Sequence, residues 1–541
     1  MITRDHLQAL IAIRQQLGNF PDEAVVIEDD SSLHPQVLHL IRLLRAHESG
    51  DASALVSAFV ALRSTQKTFP DEMYLWIHKA YARLGRTAEM ADPIFDYAQE
   101  VLRQGRPSEC MQALKAIHSF ADSGGGRYLK DEKLISEIGG MYAACAKLAP
   151  PVIRRERRPK AKKRLALVTV KLIDHVQAWA KTVMQFTRYL DRDKYELFVY
   201  FEESTCKRPQ VFSLRFEADP TSIRNAPDYV AELNTLGQDF ICVPGLPFIE
   251  AATWLAQSFE DNEIDSVIYQ GGINAPIQIV SSQLSHCPAI ANLCIGINNY
   301  IDGFDATFYS NGFHLAKEKT FWRSSWGRQI EVGVGVDYPE AEGTPSLPRE
   351  RFGIPEGWVT FGTMTNFIED RIGEEYLDCV ASVLLSCDNS IFICIGRGET
   401  STKIEYLKKY GVDKRCLWLP LQTRPFAALK LLDIYANEFP VGGQQSVGEA
   451  IACGVAATAM RYSDAHHESV AANLIGPPHA ILERDPRAYV GRIVEWIRDP
   501  AARKAAAKEL SERFRRSNSA EIFVNKLAGI CDQIATEKRP Q

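Results

Sequence analysis

The segment from Ala436 to Ala459, ANEFPVGGQQSVGEAIACGVAATA, contains the residues best suited to hold a phosphorylated ligand. It predicts a short buried strand, a Gly-Gly turn, a helix and a second apolar strand. Free backbone N–H groups from Gly443 to Ser446, together with the helix dipole, would attract phosphate. Glu449, one turn further in, could accept hydrogen bonds from a pair of ribose hydroxyls. The same pattern also occurs in α/β proteins as a packing turn, so both interpretations stay open at this point.

One histidine and two arginines outside this segment could also take part in chemistry. His175 follows the first predicted strand, where an imidazole can accept a proton or orient a group near pH 7. The alternative is a helix start that Asp174 caps, with His175 merely exposed. Arg371 and Arg397 follow strands of the second half and could stabilise negative charge, or they are ordinary surface cations.

The composition narrows the class of protein. The chain has 541 residues, 46% hydrophobic and 24% charged, with a net charge of −6, which predicts about three globular domains and gives no reason to expect nucleic-acid binding. No apolar run approaches the roughly 20 residues of a membrane helix, and the first residues are amphipathic rather than a signal peptide. Twelve scattered cysteines without a CxxC pair favour reduced thiols in a cytoplasmic protein.

Hydrophobic periodicity divides the chain into four parts. Residues 1–150 show helical spacing and predict an all-helical domain, with a weak similarity to helical repeats. Residues 151–164 include the basic run RRERRPKAKKR and predict a solvated linker. In residues 165–345, short β-branched runs such as LALVTV and YELFVYF alternate with helical patterns, which indicates a parallel sheet covered on both faces.

Residues 346–541 repeat this alternation and predict a second Rossmann-like unit followed by C-terminal helices. Its strands are predicted at WVTFGTMTNF, IFICIG and CLWLP, before the segment described first. Two such units with a cleft between them form the GT-B plan, an α/β class. Ligands of open α/β sheets bind beyond the carboxyl ends of the strands, so we expect the loops after Val170, Gly271, Gly296, Thr363, Pro420 and Pro440 to surround the cleft.

From about Leu165 to Lys504 the sequence resembles glycosyltransferase family 41, which comprises the O-GlcNAc transferases and the bacterial cytoplasmic N-glucosyltransferases of adhesins. LVTVKLIDHVQAWAKTVMQFTRYLDRDKYELFVYF is similar to the first strand, histidine loop, helix and second strand of that family. PRERFGIPEGWVTFGTMTNF is similar to the entry into its second unit, EFPVGGQQSVGEAIACGV to its donor loop, and DAHHESV to a segment of the adhesin branch. The helical N-terminal domain also favours the adhesin branch.

The chain departs from the family pattern at three places. Gly296-Ile297-Asn298 stands where the family has Gly-His-Pro, and Gly443-Gln444-Gln445 where it has Asn-Thr-Asn. A phosphate-binding lysine of the second unit has no clean counterpart, and Arg371 takes its place only if two residues are inserted. These departures affect the expected donor sugar and the level of activity.

The resemblance implies a role for each candidate residue. His175 would be the catalytic residue. The nucleotide-sugar would be bound by Asn366, Arg371, Gln422, Gly443, Gln444, Gln445, Ser446 and Glu449. Asp464, His466 and His467, after the last strand, would contact the sugar or the acceptor. They are not predicted to bind a metal, because they lack neighbours at the spacing of a metal site. Neither a metal nor a cofactor is implied.

The resemblance therefore implies a cytoplasmic, inverting transferase that moves a hexose from a UDP-sugar, UDP-glucose or a relative, to Asn or Ser/Thr of a protein acceptor. Its partners would be the donor and a protein or peptide, without nucleic acid or membrane insertion. Two alternatives remain: a GT-B transferase that builds a surface polysaccharide, and a non-catalytic GT-B scaffold or adaptor.

Overall fold

The computed structural model describes residues 49–64, 91–123, 132–170, 178–202, 227–271, 275–293, 303–310, 327–366, 368–422, 424–463, 468–469 and 471–538, with a few isolated positions between 39 and 89. The first part of this chain is helical. Its described helices are α1 (Ala52–Arg63), α2 (Ala91–Arg103), α3 (Pro107–Ser123) and α4 (Glu132–Lys147). Asp51 caps α1 by accepting hydrogen bonds from Ser53 N and Ala54 N.

The first Rossmann-like unit contains a seven-stranded parallel sheet in the order β3-β2-β1-β4-β5-β6-β7. Its strands are β1 (Lys163–Thr169), β2 (Tyr195–Phe201), β3 (Phe240–Cys242), β4 (Ser266–Tyr269), β5 (Ala289–Leu293), β6 (Ala306–Tyr309) and β7 (Arg328–Glu331). Its helices are α5 (Ala178–Tyr189), α6 (Pro227–Thr235), α7 (Phe248–Asp261) and α8 (Pro276–Leu284). The central strands are buried on both faces, as their continuous apolar sequences predict.

The helical region and the first unit share one hydrophobic core. Leu114 of α3 and Tyr142 of α4 belong to the same buried cluster as Leu255 of α7 and Ile279 of α8. The basic segment between them is held by ion pairs rather than freely solvated, since Arg157 Nη2 lies 3.1 Å from the buried Glu260 and Lys160 Nζ 2.9 Å from Asp265. These cations therefore attach the segment to the first unit.

The second unit contains a five-stranded parallel sheet in the order β10-β9-β8-β11-β12. Its strands are β8 (Val359–Thr365), β9 (Ser390–Gly396), β10 (Cys416–Pro420), β11 (Ile434–Ala436) and β12 (Ala456–Thr458), followed by the small antiparallel pair β13 (Tyr462–Ser463) and β14 (Glu468–Ser469). Its helices are α9 (Tyr338–Gly343), α10 (Ile368–Arg371), α11 (Glu374–Ser386), α12 (Ser401–Lys408), α13 (Phe426–Leu429), α14 (Gln444–Ala452), α15 (Ala471–Ile475), α16 (Pro486–Arg498) and α17 (Pro500–Asn518). The predicted α/β class with two Rossmann-like sheets behind a helical region is confirmed.

The chain returns to the first unit at its end. Helix α18 (Ala520–Glu537) packs against α5, β4 and β5, and its Phe523 and Leu527 lie in the same core as Leu165 and Leu167 of β1. The domain division made from the sequence grouped residues 346–541 together, whereas the side chains of α18 pack in the core of the first unit. Its apolar face fits the first sheet, a pairing across the whole chain that periodicity alone does not specify.

Two segments therefore connect the units, and they lie side by side. The outgoing segment, residues 332–337, leads from β7 to α9. Its Val336 accepts a hydrogen bond from Ala520 N and donates one to Asn518 O, both at 2.8 Å. Arg188 of α5 also ties the outgoing segment down, because its Nη1 lies 2.6 Å from Asp337 and 2.7 Å from Glu340. The polypeptide therefore passes between the two units at one place, beside the cleft.

Candidate functional site

A cavity of about 280 Å³ lies in this cleft, at the carboxyl ends of strands from both sheets. The first unit contributes residues of α5, the ends of β5 and β6, and the outgoing segment: Ala178, Lys181, Thr182, Gln185, Leu293, Ser310 and Gly333–Gly335. The second unit contributes the loops after β8, β10 and β11, the start of α13 and the first turns of α14. Phe523 of α18 completes the wall.

All eight residues predicted to bind the nucleotide-sugar line this cavity. They come from three stretches of the second unit, which follow β8, β10 and β11. They are Asn366, Arg371, Gln422, Gly443, Gln444, Gln445, Ser446 and Glu449. The other four candidates, His175, Asp464, His466 and His467, lie outside the described residues. The fold thus brings the eight residues together, while the role assigned to each of the twelve stays a prediction.

Helix α14 opens toward the cavity with its backbone. The first N–H groups of an α-helix lack an intrahelical partner, and here the N-cap residue, Gly443, provides no side-chain hydrogen bond to replace it. The buried Tyr435 fixes the Ser446 hydroxyl, because its OH donates a hydrogen bond to Ser446 Oγ at 2.8 Å. A Cβ on residue 443 would collide with that Oγ. Glycine is therefore needed where the backbone reaches the cavity.

Arg371 brings positive charge to the same helix start. It ends α10, its side chain is 30% exposed, and its Nη1 lies 3.5 Å from Glu438 Oε1. The same Nη1 is 3.5 Å from the point that a Cβ of Gly443 would occupy. Arg397, the other candidate cation, is exposed, donates from Nε to Asn366 O at 3.1 Å, and does not line the cavity.

Glu438, behind Arg371, was assigned no role from the sequence. It is completely buried and accepts a hydrogen bond from Thr363 Oγ1 at its Oε2. Burial raises the pKa of this carboxyl, and the nearby Arg371 guanidinium opposes that effect. The sequence shows an acid directly after a predicted buried strand. Its contacts with a buried threonine and an arginine could not be predicted, because those residues lie in other segments of the chain.

Glu449 is only 2% exposed and is paired across the cleft. Its Oε1 accepts hydrogen bonds from Lys181 Nζ of α5 and, at 3.2 Å, from Gln445 Nε2. Its Oε2 is buried and has no hydrogen-bond partner within the described part of the chain. Lys181 was missed from the sequence because it precedes Glu449 by 268 positions and looks like an ordinary polar residue of an amphipathic helix.

Two further contacts close the cavity between the units. Ser310 Oγ, just after β6, donates to Gln444 Oε1. The carbonyl of Gly335 accepts from Gln185 Nε2 at 2.8 Å and from Gln445 Nε2 at 3.0 Å. The first turn of α14 is therefore positioned by both units.

Two other kinds of feature are absent from the described ranges. No group of three or more His, Cys, Asp or Glu side chains there is arranged to hold a metal ion. Among the same residues, no helix has the length and apolar character required to cross a membrane.

No protein-family model matches the chain, and no curated protein sequence matches it. Solved structures do. A mutant O-GlcNAc transferase from Thermobaculum terrenum is 15% identical, with 93% of this chain and 98% of that chain covered and a TM-score of 0.51. A glycosyltransferase from Rickettsia africae is 11% identical over 70% and 100% of the two chains, with a TM-score of 0.52.

A third matching structure is Alr3699/HepE from Anabaena, in complex with UDP and glucose. It is 11% identical over 68% of this chain and 99% of that one, with a TM-score of 0.50. At these identities the likeness concerns the fold. Together with the seven- and five-stranded parallel sheets that face a cleft, it shows that the chain has the GT-B fold, preceded by a helical region.

Proposed function

We propose that this protein is an inverting glycosyltransferase that moves a hexose from a UDP-sugar, UDP-glucose or a relative, to a protein. The observation that carries the proposal is that eight predicted donor-binding residues, from three stretches of the second unit, line one cavity between the two units. A packing turn alone would not need an uncapped helix start, an arginine and a buried acid on the walls of the same cavity.

The cavity supplies what the departure of a nucleoside diphosphate requires. Charge that develops on the leaving phosphate is stabilised best by groups already fixed in place. The N–H groups at the start of α14 and the guanidinium of Arg371 would do this together. Glu449 would accept hydrogen bonds from the ribose hydroxyls, and Asn366 and Gln422 would contact the rest of the donor.

Activation of the acceptor is assigned to His175. For a serine or threonine acceptor, an imidazole can take up the hydroxyl proton. For an asparagine acceptor, proton removal by histidine is inadequate, because an amide proton is far too weakly acidic. Positioning of the amide and stabilisation of the leaving diphosphate would then provide most of the rate.

Two observations support a protein acceptor over a saccharide. The family resemblance noted from the sequence is to transferases that modify proteins. The match to the mutant O-GlcNAc transferase covers 93% of this chain, and so includes much of the helical region.

The complex of the Anabaena protein with UDP and glucose supports the choice of donor.

Calorimetric titration with UDP, UDP-glucose and GDP tests the donor assignment. We expect micromolar UDP affinity, weaker binding of GDP, and a loss of at least tenfold in UDP affinity for Glu449→Ala, because the hydrogen bonds to a charged acceptor are each worth about 1.5–3 kcal/mol. Glu405→Ala, which removes an exposed acid of α12 paired with Lys408, is the control and should bind UDP as the unaltered protein does.

Release of UDP from UDP-glucose tests the acceptor. Release that depends on added cytosolic protein, with hexose recovered on the protein, supports the proposal. Release that depends on oligosaccharide overturns the protein acceptor but not the transferase. Tight UDP binding without any release indicates a non-catalytic scaffold, and unchanged UDP affinity in Glu449→Ala removes the ribose assignment.

A further inference from the structure

We propose that Lys181 is a positioning residue that turns Glu449 toward the ribose, so that ribose recognition requires both units of the protein. This inference rests on the proposed function, because it specifies how the donor site recognises its nucleotide. It adds a residue of the first unit to a site whose other predicted members all belong to the second.

The hydrogen bonds of the Glu449 carboxylate are divided unequally between its two oxygens. Oε1 accepts from both Lys181 Nζ and Gln445 Nε2. Oε2 is buried and, among the residues that the structure describes, accepts from none. A buried acceptor without a donor is unfavourable, and this one belongs to a residue on the cavity wall. A ribose hydroxyl would supply the missing donor.

Lys181 has the burial and charge to hold this arrangement. Its side chain is 16% exposed and that of Glu449 3% exposed, so the pair is largely removed from water. Lys181 places its positive charge on Oε1 through a charge-assisted hydrogen bond, which leaves Oε2 for the ligand.

The ion pair also spans the cleft. Lys181 lies on α5 of the first unit, and Glu449 on α14 of the second. Gln185, one turn after Lys181 on the same face of α5, donates to Gly335 O, which fixes the helix against the segment between the units. If the units separate, Glu449 loses Lys181, and the ribose site loses its orientation.

The test compares UDP with 2′-deoxy-UDP and 3′-deoxy-UDP by calorimetry in the full chain. We expect the unaltered protein to prefer UDP over at least one deoxy analogue by about tenfold, the range of one hydrogen bond to a charged group. In Lys181→Gln that preference should fall to about twofold or less. Lys181→Arg, which keeps the charge, should retain most of it.

Lys408→Gln is the matched control, since it breaks a lysine–glutamate pair on the surface of α12, and it should keep the full preference. Lys181→Gln/Glu449→Gln should discriminate no less than Glu449→Gln alone, because Lys181 acts through Glu449. Melting curves of each variant establish that it is folded.

The inference is overturned if Lys181→Gln keeps the full preference for ribose, or if it weakens UDP and both deoxy analogues by one common factor. The second result would mean that Lys181 acts on the diphosphate or on general stability. Absence of UDP binding by the unaltered protein would overturn the proposed function itself, a failure that is distinct from either of these.

Discussion

Glu438 and Arg371 form a contact that combines a structural cost with a functional use. A fully buried carboxylate is unfavourable unless it is protonated or paired. The described partners of Glu438 include the hydroxyl of Thr363 and, at 3.5 Å, the guanidinium of Arg371. Arg371 in turn stands beside the backbone at Gly443. The acid therefore restrains a cation that the proposed donor site needs, and the protein maintains a buried acid to do so.

The raised pKa of Glu438 predicts a pH effect on stability. The protonated form is favoured in the folded state, so the stabilisation is complete below the ordinary carboxyl pKa of 4.5 and is lost as pH rises through the folded-state value. The free energy of unfolding of the unaltered protein minus that of Glu438→Gln should therefore fall above about pH 4.5, by at most about 1.4 kcal/mol per pH unit. Urea unfolding between pH 4 and pH 8 measures it.

Glu356→Gln, which removes an acid at an exposed position, is the control. A difference for Glu438→Gln that grows with pH would mean that the pairing with Arg371 outweighs burial.

The sequence predicts the roles of residues that act through local backbone geometry. It does not predict the roles of residues that act through partners distant in the chain. The start of α14 was predicted because Gly-Gly followed by a helical pattern is a local signal. Arg371 was a weaker candidate, since only its position after a strand indicated the cavity. Lys181 and Glu438 were missed because their roles come from Glu449 and Arg371, which the fold, not the local sequence, brings next to them.

At the scale of elements, α14 contributes most to the candidate site. Its first turn is held by Ser310 from the first unit and by the carbonyl of Gly335 between the units, while Gly443 keeps the backbone open to the cavity. The helix start is thus fixed before a ligand arrives, which reduces the entropy cost of binding.

Gly443→Ala should weaken UDP binding by about tenfold, comparable to one lost hydrogen bond to a charged group. The added methyl group collides with Ser446 Oγ, so the N-cap must shift and its N–H groups turn away from the phosphate. Calorimetry with UDP measures the change.

Gly491→Ala, in the middle of α16 where a Cβ meets no atom within 4 Å, is the control. It should leave UDP affinity unchanged and raise stability by about 0.5–1 kcal/mol. Equal UDP affinity in Gly443→Ala would show that the helix start does not contact the ligand.

Strands with a continuous apolar sequence were predicted, and strands without one were not. β2, β9 and β10 agree with the predicted runs to within one residue. β6 has four residues, too few for a periodic signal, and β7 is a half-exposed edge strand with the polar sequence RQIE.

At the scale of the whole molecule, α18 stabilises the first unit although it is last in the chain. Its buried side chains, including Leu527 and Cys531, fill the core over β1 and β5. Among the described helices, only α5 and α6 also contribute side chains to this core. The first unit therefore depends on the C-terminal segment.

Leu527→Ala should lower the free energy of unfolding by about 2–5 kcal/mol, since it opens a cavity between α18 and the sheet. Ile522→Ala, on the same helix but 42% exposed, should change it by about 0.5 kcal/mol or less. Chemical unfolding measures both, and equal effects would mean that α18 is not an integral part of this core.

The adjacent positions of Val336 and Ser519, which form a parallel bridge, have a consequence for synthesis. Residues 337–518 leave and re-enter the first unit at one point, as an inserted domain does, and on the ribosome that insert is complete before α18 has been made. The core that contains Leu165 and Leu167 therefore lacks Phe523 and Leu527 until the insert has been translated. Until then the first unit exposes apolar surface that α18 later covers, and such surface promotes aggregation.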